Sequence, residues 1–221
     1  MSDALRKDIQ SVYNRPIFVV PNVIETSRFR IAEKGRGKKL ETGLLGGMGN
    51  YRKGLDILIE AIALVLNRDI TVHVGGDGKL LPLFRKQAEE RGVSDLLVFH
   101  GGVPADKTPE FYSMLDCFVL PSRDETFGVV VIEAMASGLP VIATDCGGPR
   151  EIITPETGIL IKKDDPVGLA AAIDYIQENL EKYNRKAIRS YVEEKYSPEA
   201  FIRTLSSVYR EVLERGLSNA K

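Results

Sequence analysis

Two glutamates, Glu125 and Glu133, have the residue types and positions in this sequence best suited to chemistry on a ligand. Glu125 lies in a short polar turn between an apolar strand-like run and a helical segment. Glu133 lies within that segment, which is apolar on nearly every side and is predicted to be a buried helix. An unpaired carboxylate is costly there, so Glu133 must meet a polar partner. The first N–H groups of the helix, near Phe127, Gly128 and Val129, would face an anion.

A second polar element, residues 46–54, follows a strand-like run and precedes a helical pattern. Its glycines permit close approach of the backbone to a phosphate, and Lys53 would add a positive charge. The alternative interpretation is a glycine-rich surface loop with a solvated lysine. The glycine-rich turn at residues 75–78 also lies between a strand and a helix, but it is weak evidence for a ligand site. A plain turn is at least as good an interpretation. His100 is interpreted as a hydrogen-bonded residue at the end of a strand.

Alternating strands and helices must position these residues. The alternation predicts an α/β fold, with a doubly wound, Rossmann-like, mostly parallel sheet, helices on both faces and a helical C-terminal segment. The predicted strands are continuous apolar runs, as expected for a sheet that is covered on both faces. They are residues 17–20, 43–46, 70–74, 96–100, 117–120, 140–143 and 158–161. Helices are predicted at residues 127–137, 166–178, 180–196 and 198–215.

The composition limits the possible classes of function. The 221 residues, 43% hydrophobic and 28% charged, are ordinary for a soluble globular protein. A net charge of −1 gives no general attraction to nucleic acid, and no run approaches the ~18 apolar residues of a membrane span. The first residues lack signal-peptide character, and Cys117 and Cys146 are interpreted as reduced core residues, so a cytoplasmic location is expected. With two histidines, no histidine-based zinc site is expected.

The two glutamates form a Glu-x7-Glu element, which continues into AMASGLPVIATD at residues 134–145 and GGPREI at residues 147–152. This element closely resembles the group 1 (family 4) retaining glycosyltransferases of the GT-B fold, and the resemblance runs from about residue 17 to about residue 209. It implies transfer of a hexose from a nucleoside-diphosphate sugar, such as a UDP-, GDP- or ADP-sugar, to an acceptor. No metal and no cofactor are expected, because the nucleotide sugar is itself the substrate.

The resemblance also implies roles for individual residues. Glu133 would accept hydrogen bonds from the ribose hydroxyls, whereas Glu125, beside the transferred sugar, and Lys53 are the expected catalytic residues. A buried salt bridge remains the alternative for Glu133, and a carboxylate at the start of a helix remains the alternative for Glu125. The other residues expected to bind the donor are Phe127, Gly128, Val129, Val130, Arg52, Gly47, Gly101 and Val103.

One position departs from the family pattern. In the family, an arginine just after the strand and a lysine six residues later bind the donor's diphosphate. Lys53 matches the lysine, but Gly47 stands in the place of the arginine. Arg52 could compensate for the missing charge from the helix side.

GT-B enzymes have two Rossmann-like domains, and residues 1–221 resemble only the C-terminal, nucleotide-sugar-binding domain. Residues 1–30 resemble the entry into that domain, and the helix at residues 197–217 is expected to cross toward the missing N-terminal acceptor domain. The chain would then be an excised domain or one subunit of a split enzyme, inactive alone. The full-length enzyme would work in the cytoplasm or at the cytoplasmic face of the membrane. Two alternatives are a non-catalytic sugar-nucleotide-binding subunit and a GT-B enzyme of another reaction type, such as a phosphorylase or an epimerase.

Overall fold

The computed structural model describes residues 6, 9–13, 17–33, 35 and 37–218, with side chains up to residue 214. Within this part of the chain, six strands form one parallel sheet. In chain order they are β1 (Leu40–Leu45), β2 (Ile70–Gly75), β3 (Leu97–Gly101), β4 (Cys117–Leu120), β5 (Val141–Thr144) and β6 (Gly158–Ile161). Across the sheet the order is β3-β2-β1-β4-β5-β6, which confirms the predicted doubly wound α/β fold.

Helices cover both faces of this sheet. They are α1 (Leu55–Ile62), α2 (Leu81–Glu90), α3 (Thr108–Ser113), α4 (Val129–Ala136), α5 (Gly148–Ile152), α6 (Pro166–Asn179), α7 (Arg185–Tyr196) and α8 (Pro198–Ser218). Helix α1 packs against α2 and α6, whereas α4 packs against α7. Among the described residues, no helix combines the length and the apolar character that a membrane span requires.

The direction in which strands are added reverses between β1 and β4. The chain runs outward from β1 to β3 and then returns to β4 on the other side of β1. In open α/β sheets such a reversal leaves a crevice outside the carboxyl ends of the two strands, and ligands bind there. The loops that follow β1 and β4, residues 46–54 and 121–128, therefore border the crevice.

The strands beneath these loops are deeply buried. Every residue of β4 and β5 is buried, and so are Leu44 of β1 and Val72 and Val74 of β2. Burial of one such side chain stabilises a fold by about 1.5–3 kcal/mol. The crevice loops therefore follow two of the most deeply buried strands of the sheet.

Several predicted bounds differ from the observed ones. Residues 17–20 are not a strand; Val19 and Pro21 instead line a cleft beside α7 and α8. An apolar run cannot by itself distinguish a strand from an extended segment that packs on helices. The predicted helix at residues 180–196 is broken, because the side chain of Asn184 accepts hydrogen bonds from Lys186 and Ala187 and so begins α7 anew. Helix α4 begins two residues later than predicted, after Gly128 with φ 94°.

The C-terminal helix α8 leaves much of its apolar surface open. Ile202, Tyr209 and Leu213 are 61%, 62% and 66% exposed. Phe201 and Leu205, on a neighbouring stripe of the helix, are half-buried. The expectation that this helix crosses toward a second domain remains a prediction.

Gly54 provides a test of how the two crevice loops are joined. Its φ is 70°, and a Cβ atom there would lie 2.0 Å from the carbonyl oxygen of Pro121. We expect Gly54→Ala to lower the free energy of unfolding by about 2–4 kcal/mol, from backbone strain and steric conflict together. Gly47→Ala is the matched control, since a Cβ at Gly47 would meet no atom within 4 Å. Urea denaturation measures both, and equal stabilities for the two variants would contradict this account.

Candidate functional site

The loop after β1 is held in place by the loop after β2. Met48 donates its N–H to the carbonyl of Asp77 at 2.9 Å, and the carbonyl of Met48 accepts from Leu80 at 3.1 Å. A Cβ atom at Gly76 would lie 1.8 Å from the carbonyl oxygen of Gly46. The glycines at residues 75–78 thus let two loops pack against each other, which fits their interpretation as a plain turn.

Arg123 joins the two crevice loops to each other. Its guanidinium binds Asp56 of α1 through both carboxylate oxygens, at 2.9 and 2.7 Å, and its Nε lies 2.7 Å from Asp164. Its backbone N–H donates to the carbonyl of Arg52 at 2.8 Å. The hydrogen bond and charge of Asp56 outweigh burial and raise the pKa of Arg123. With two carboxylates bound, this arginine braces the site and is not available to a ligand anion.

Lys53 and Glu125 meet directly at the crevice. Lys53 Nζ lies 2.6 Å from Glu125 Oε2, and the two side chains are only 14% and 11% exposed. The backbone of Glu125 is fixed by a parallel bridge to Gly147, and its carbonyl accepts a hydrogen bond from Gly148. The structure therefore brings the two expected catalytic residues into contact. Glu125 lies before the glycine that caps α4, so it is not in the first turn of that helix.

The N-terminus of α4 opens beside this ion pair. Gly128 occupies the cap position with φ 94°, and it supplies no side-chain hydrogen bond to the first turn. The early N–H groups, at Val129 and Val130, are therefore open to water or to an anion. Phe127 is only 9% exposed and packs edge-on against Tyr196, so its backbone rather than its ring could reach a ligand.

Glu133 lies one helical turn after Val129, and the group that meets it is the hydroxyl of Tyr112. Tyr112 Oη donates to Glu133 Oε2 at 2.9 Å. Burial raises the pKa of Glu133, while the hydrogen bond from Tyr112 and then the charge of Arg28 oppose this shift. The polar partner that the sequence required is thus a neutral hydroxyl rather than a salt-bridging lysine or arginine.

The remaining predicted residues lie along the same carboxyl edge of the sheet. Gly47 is open, and the guanidinium of Arg52 is exposed and forms no ion pair within the described part of the chain. Gly101, with φ 69°, ends β3 and accepts a hydrogen bond from Gly76 at 2.7 Å. Val103 is half-buried close to this loop. Gly101 at the end of β3 and Val103 just after it lie two strands away from β1 in the order of the sheet.

The two histidines of the sequence lie outside this constellation. His73 Nδ1 is 2.9 Å from His100 Nε2, and His73 Nε2 is 2.9 Å from Glu41 Oε2. Burial, and then the charge of His73, lower the pKa of His100. The interpretation of His100 as a hydrogen-bonded strand-end residue fits this geometry. Among the described residues, no group of three or more His, Cys, Asp or Glu side chains could hold a metal ion.

Sequence reasoning missed three residues that shape the site: Tyr112, Arg123 and Arg28. Tyr112 precedes Glu133 by 21 residues and lies on a separate short helix, so no periodicity links the two. Arg123 follows a strand end, as many solvated arginines do, and nothing local reveals its carboxylate partners. The pairing of β1 with β4 brings Arg123 to Asp56, whereas Tyr112 and Glu133 meet because α3 and α4 directly precede and follow β4.

The sequence of this chain is similar to those of known glycosyltransferases. The family model described as "Glycosyl transferases group 1" matches residues 29–206. An uncharacterized glycosyltransferase of Methanocaldococcus jannaschii is 29% identical over 97% of this chain and 60% of its own length. The GDP-mannose-dependent alpha-(1-6)-phosphatidylinositol monomannoside mannosyltransferase of Mycolicibacterium smegmatis is 33% identical over 70% of this chain and 45% of its own length.

A solved structure shares the fold. The apo form of the lipopolysaccharide outer core galactosyltransferase WaaB matches with a TM-score of 0.84 and 21% sequence identity. The match covers 95% of this chain and 60% of that one. The chain thus spans about 60% of the length of the M. jannaschii relative and of this structural neighbour, and less than half of the mannosyltransferase.

Proposed function

Since this chain belongs to the group 1 glycosyltransferases, we propose that its crevice between β1 and β4 binds the nucleoside-diphosphate sugar donor of a retaining hexosyl transfer. One observation carries the proposal. At the reversal of strand order, a lysine, an uncapped helix N-terminus and a half-buried glutamate border the same crevice. These are the groups that a diphosphate and a ribose require.

The diphosphate would bind between Lys53 and the N-terminus of α4. A helix N-terminus carries about half a positive charge, and its open N–H groups point at the ligand. The exposed guanidinium of Arg52 would add charge from the other loop. Lys53 is neutralised by Glu125 at 2.6 Å, so an incoming diphosphate competes with this carboxylate for the lysine.

Glu133 would bind the ribose. One of its oxygens accepts the hydroxyl of Tyr112, whereas Oε1 has no hydrogen-bond partner within the described residues and is not fully buried. A carboxylate with accessible lone pairs suits the vicinal hydroxyls of a ribose, because charged acceptors form strong hydrogen bonds. Gly101 and Val103, at the end of β3, would offer backbone groups to the base.

Catalysis would consist of positioning the donor and stabilising the departing diphosphate. Lys53 and the α4 N–H groups carry the positive charge that the leaving group requires. Once the diphosphate has drawn Lys53 away, Glu125 is free to contact the transferred sugar. Front-face transfer, in which the departing diphosphate assists the acceptor, requires no nucleophile from the protein.

The chain would supply the donor half of a two-domain enzyme. It spans about 60% of the M. jannaschii relative, and the remaining length would carry the acceptor domain. The open apolar face of α8 is compatible with such a second domain. We therefore propose that the acceptor site lies outside this chain, and a cytoplasmic location is part of the same proposal.

The two glutamates should respond in opposite ways to loss of charge. Glu133→Gln removes the charged acceptor for the ribose and should weaken nucleoside-diphosphate binding by about 1–3 kcal/mol. Glu125→Gln removes the carboxylate that competes for Lys53 and should tighten binding by about 1 kcal/mol. Calorimetry with UDP, GDP and ADP, with and without magnesium, measures both. GDP is included partly because the M. smegmatis relative is GDP-mannose-dependent.

Glu156→Gln is the control, because Glu156 is exposed in the turn between α5 and β6, away from the crevice. Its affinity should equal that of the wild type. Strict dependence on magnesium, or no binding of any of the three nucleotides at millimolar concentration, would contradict the proposal. Changes of the same sign in both glutamate variants would show that the ion pair does not compete with the ligand.

Restoring the family arginine should strengthen the site. A side chain at Gly47 meets no atom within 4 Å at its Cβ, so Gly47→Arg requires no repacking there. An added guanidinium near the diphosphate should raise affinity by about 1 kcal/mol, roughly fivefold. Gly47→Ala should leave affinity unchanged. If Gly47→Arg binds no better than Gly47→Ala, the diphosphate does not lie beside this loop.

The chain alone should transfer no sugar. Without an acceptor domain, it lacks the proximity effects that contribute up to about 7–11 kcal/mol to such reactions. A nucleotide-sugar assay compares the chain alone with the chain co-expressed with any region that precedes it in the native gene. Turnover by the chain alone, at rates usual for glycosyltransferases, would show that the site is already complete.

A further inference from the structure

We propose that Tyr112 is a positioning residue, which holds the carboxylate of Glu133 in the orientation that binds the ribose. This inference rests on the donor site proposed above. Tyr112 contacts Glu133 and not the ligand site itself, so its role would be exerted through that carboxylate.

The hydroxyl of Tyr112 has two acceptors within reach. Glu133 Oε2 lies at 2.9 Å and the carbonyl of Val130 at 3.2 Å. The hydroxyl has a single hydrogen, and the shorter bond to a charged acceptor is the stronger of the two. The hydrogen therefore goes mainly to Glu133, and the Val130 carbonyl is the weaker, alternative acceptor.

The ring of Tyr112 cannot turn away from this contact. It is fully buried, and its centroid lies 6.0 Å from Phe29, 6.0 Å from Phe111 and 5.5 Å from Phe118. Phe118 belongs to β4, in the middle of the sheet. The hydroxyl is thus an immobile donor fixed to the rigid base of the crevice.

A glutamate side chain has three rotatable bonds, so a single tether decides where its free oxygen points. With Oε2 bound to Tyr112, Oε1 is left for a ligand. Burial, and then the charge of Glu133, raise the pKa of Tyr112 well above its usual value, so the hydroxyl keeps its hydrogen at neutral pH. The tether is therefore present whenever Glu133 is ionised.

The charge state of Glu133 depends on the same tether. The groups that act on it are Tyr112 from α3 and Arg28 from the turn Thr26–Arg28. Arg28 is anchored elsewhere, through a hydrogen bond to the carbonyl of Ala105. Burial raises the pKa of Glu133 and the Tyr112 hydroxyl lowers it, so removing the hydroxyl should raise this pKa further.

Tyr112→Phe tests the proposal, because it removes the hydroxyl and keeps the ring. Binding is measured with UDP, GDP and ADP and with the 2′,3′-dideoxy form of each. The wild type should prefer the ribose form about tenfold. Tyr112→Phe should lose most of that preference while the affinity for the dideoxy form stays the same. Binding should also begin to fail at a higher pH, because ionised Glu133 is lost as pH falls through its pKa.

The control is Tyr183→Phe, which alters another buried tyrosine, one that lines a groove with Ile153 and Leu160. It should change neither the ribose preference nor the pH profile. If Tyr112→Phe weakens both nucleotide forms equally, or changes only stability, Tyr112 is a core residue and the proposal is wrong. The proposal is also wrong if the wild type binds both forms equally well.

A ligand-free measurement separates this proposal from the proposed function. Carboxyl NMR titration should place the pKa of Glu133 higher in Tyr112→Phe than in the wild type, whether or not a nucleotide binds. Failure of all nucleotides to bind would overturn the donor site and with it the ribose role, while an unchanged pKa would overturn the tether itself. If Tyr112→Phe does not fold, 3-fluorotyrosine at position 112 serves instead. Its hydroxyl is a stronger donor, so the pKa of Glu133 should fall, and a pKa that stays the same would contradict the tether.

Discussion

The contact of Gly54 with the carbonyl of Pro121 is the constraint on which the site depends. It joins the loop after β1 to the loop after β4, where the order of strands reverses. No side chain fits between these backbones, so only glycine permits the contact. Lys53, next to Gly54 in the chain, is thereby placed within 2.6 Å of Glu125, which lies four residues beyond Pro121. Two residues that are distant in sequence become one ion pair.

Among the described residues at the crevice, the cationic side chains of Arg123 and Lys53 are bound by carboxylates, whereas that of Arg52 is not. Arg123 is bound to Asp56 and Asp164, and Lys53 is bound to Glu125. The Arg123 ion pairs are structural, because they connect the loop after β4 to α1 and to Asp164. Under the proposed function the Lys53–Glu125 pair would be exchangeable, because an anion could replace Glu125 at a lysine whose side chain is still 14% exposed. The crevice would then keep its shape through the Arg123 ion pairs while Lys53 binds the diphosphate.

The sequence predicted the fold well because strand–helix alternation is a local property. The bounds of β4 and β6 are the predicted ones, and the other strands differ by one to three residues. The error at residues 17–20 arose where an apolar run packs on helices rather than in the sheet. Local patterns also identified Lys53 and Glu125 as polar residues at strand ends. They could not identify Tyr112 or the carboxylate partners of Arg123, because those contacts cross between distant segments.

The two glutamates of the Glu-x7-Glu element illustrate this limit most clearly. They are eight residues apart, yet their environments have little in common. Glu125 is held by backbone contacts and paired with a lysine, so its charge is compensated. Glu133 is held by a neutral hydroxyl, so burial of its charge is only partly offset, and its pKa remains raised. A ligand that donates hydrogen bonds to such a carboxylate stabilises its ionised form, because the protein offsets only part of the cost of burying the charge. The difference in partners, rather than the spacing, thus gives one glutamate a compensated charge and leaves the other with one oxygen that has no hydrogen-bond partner among the described residues.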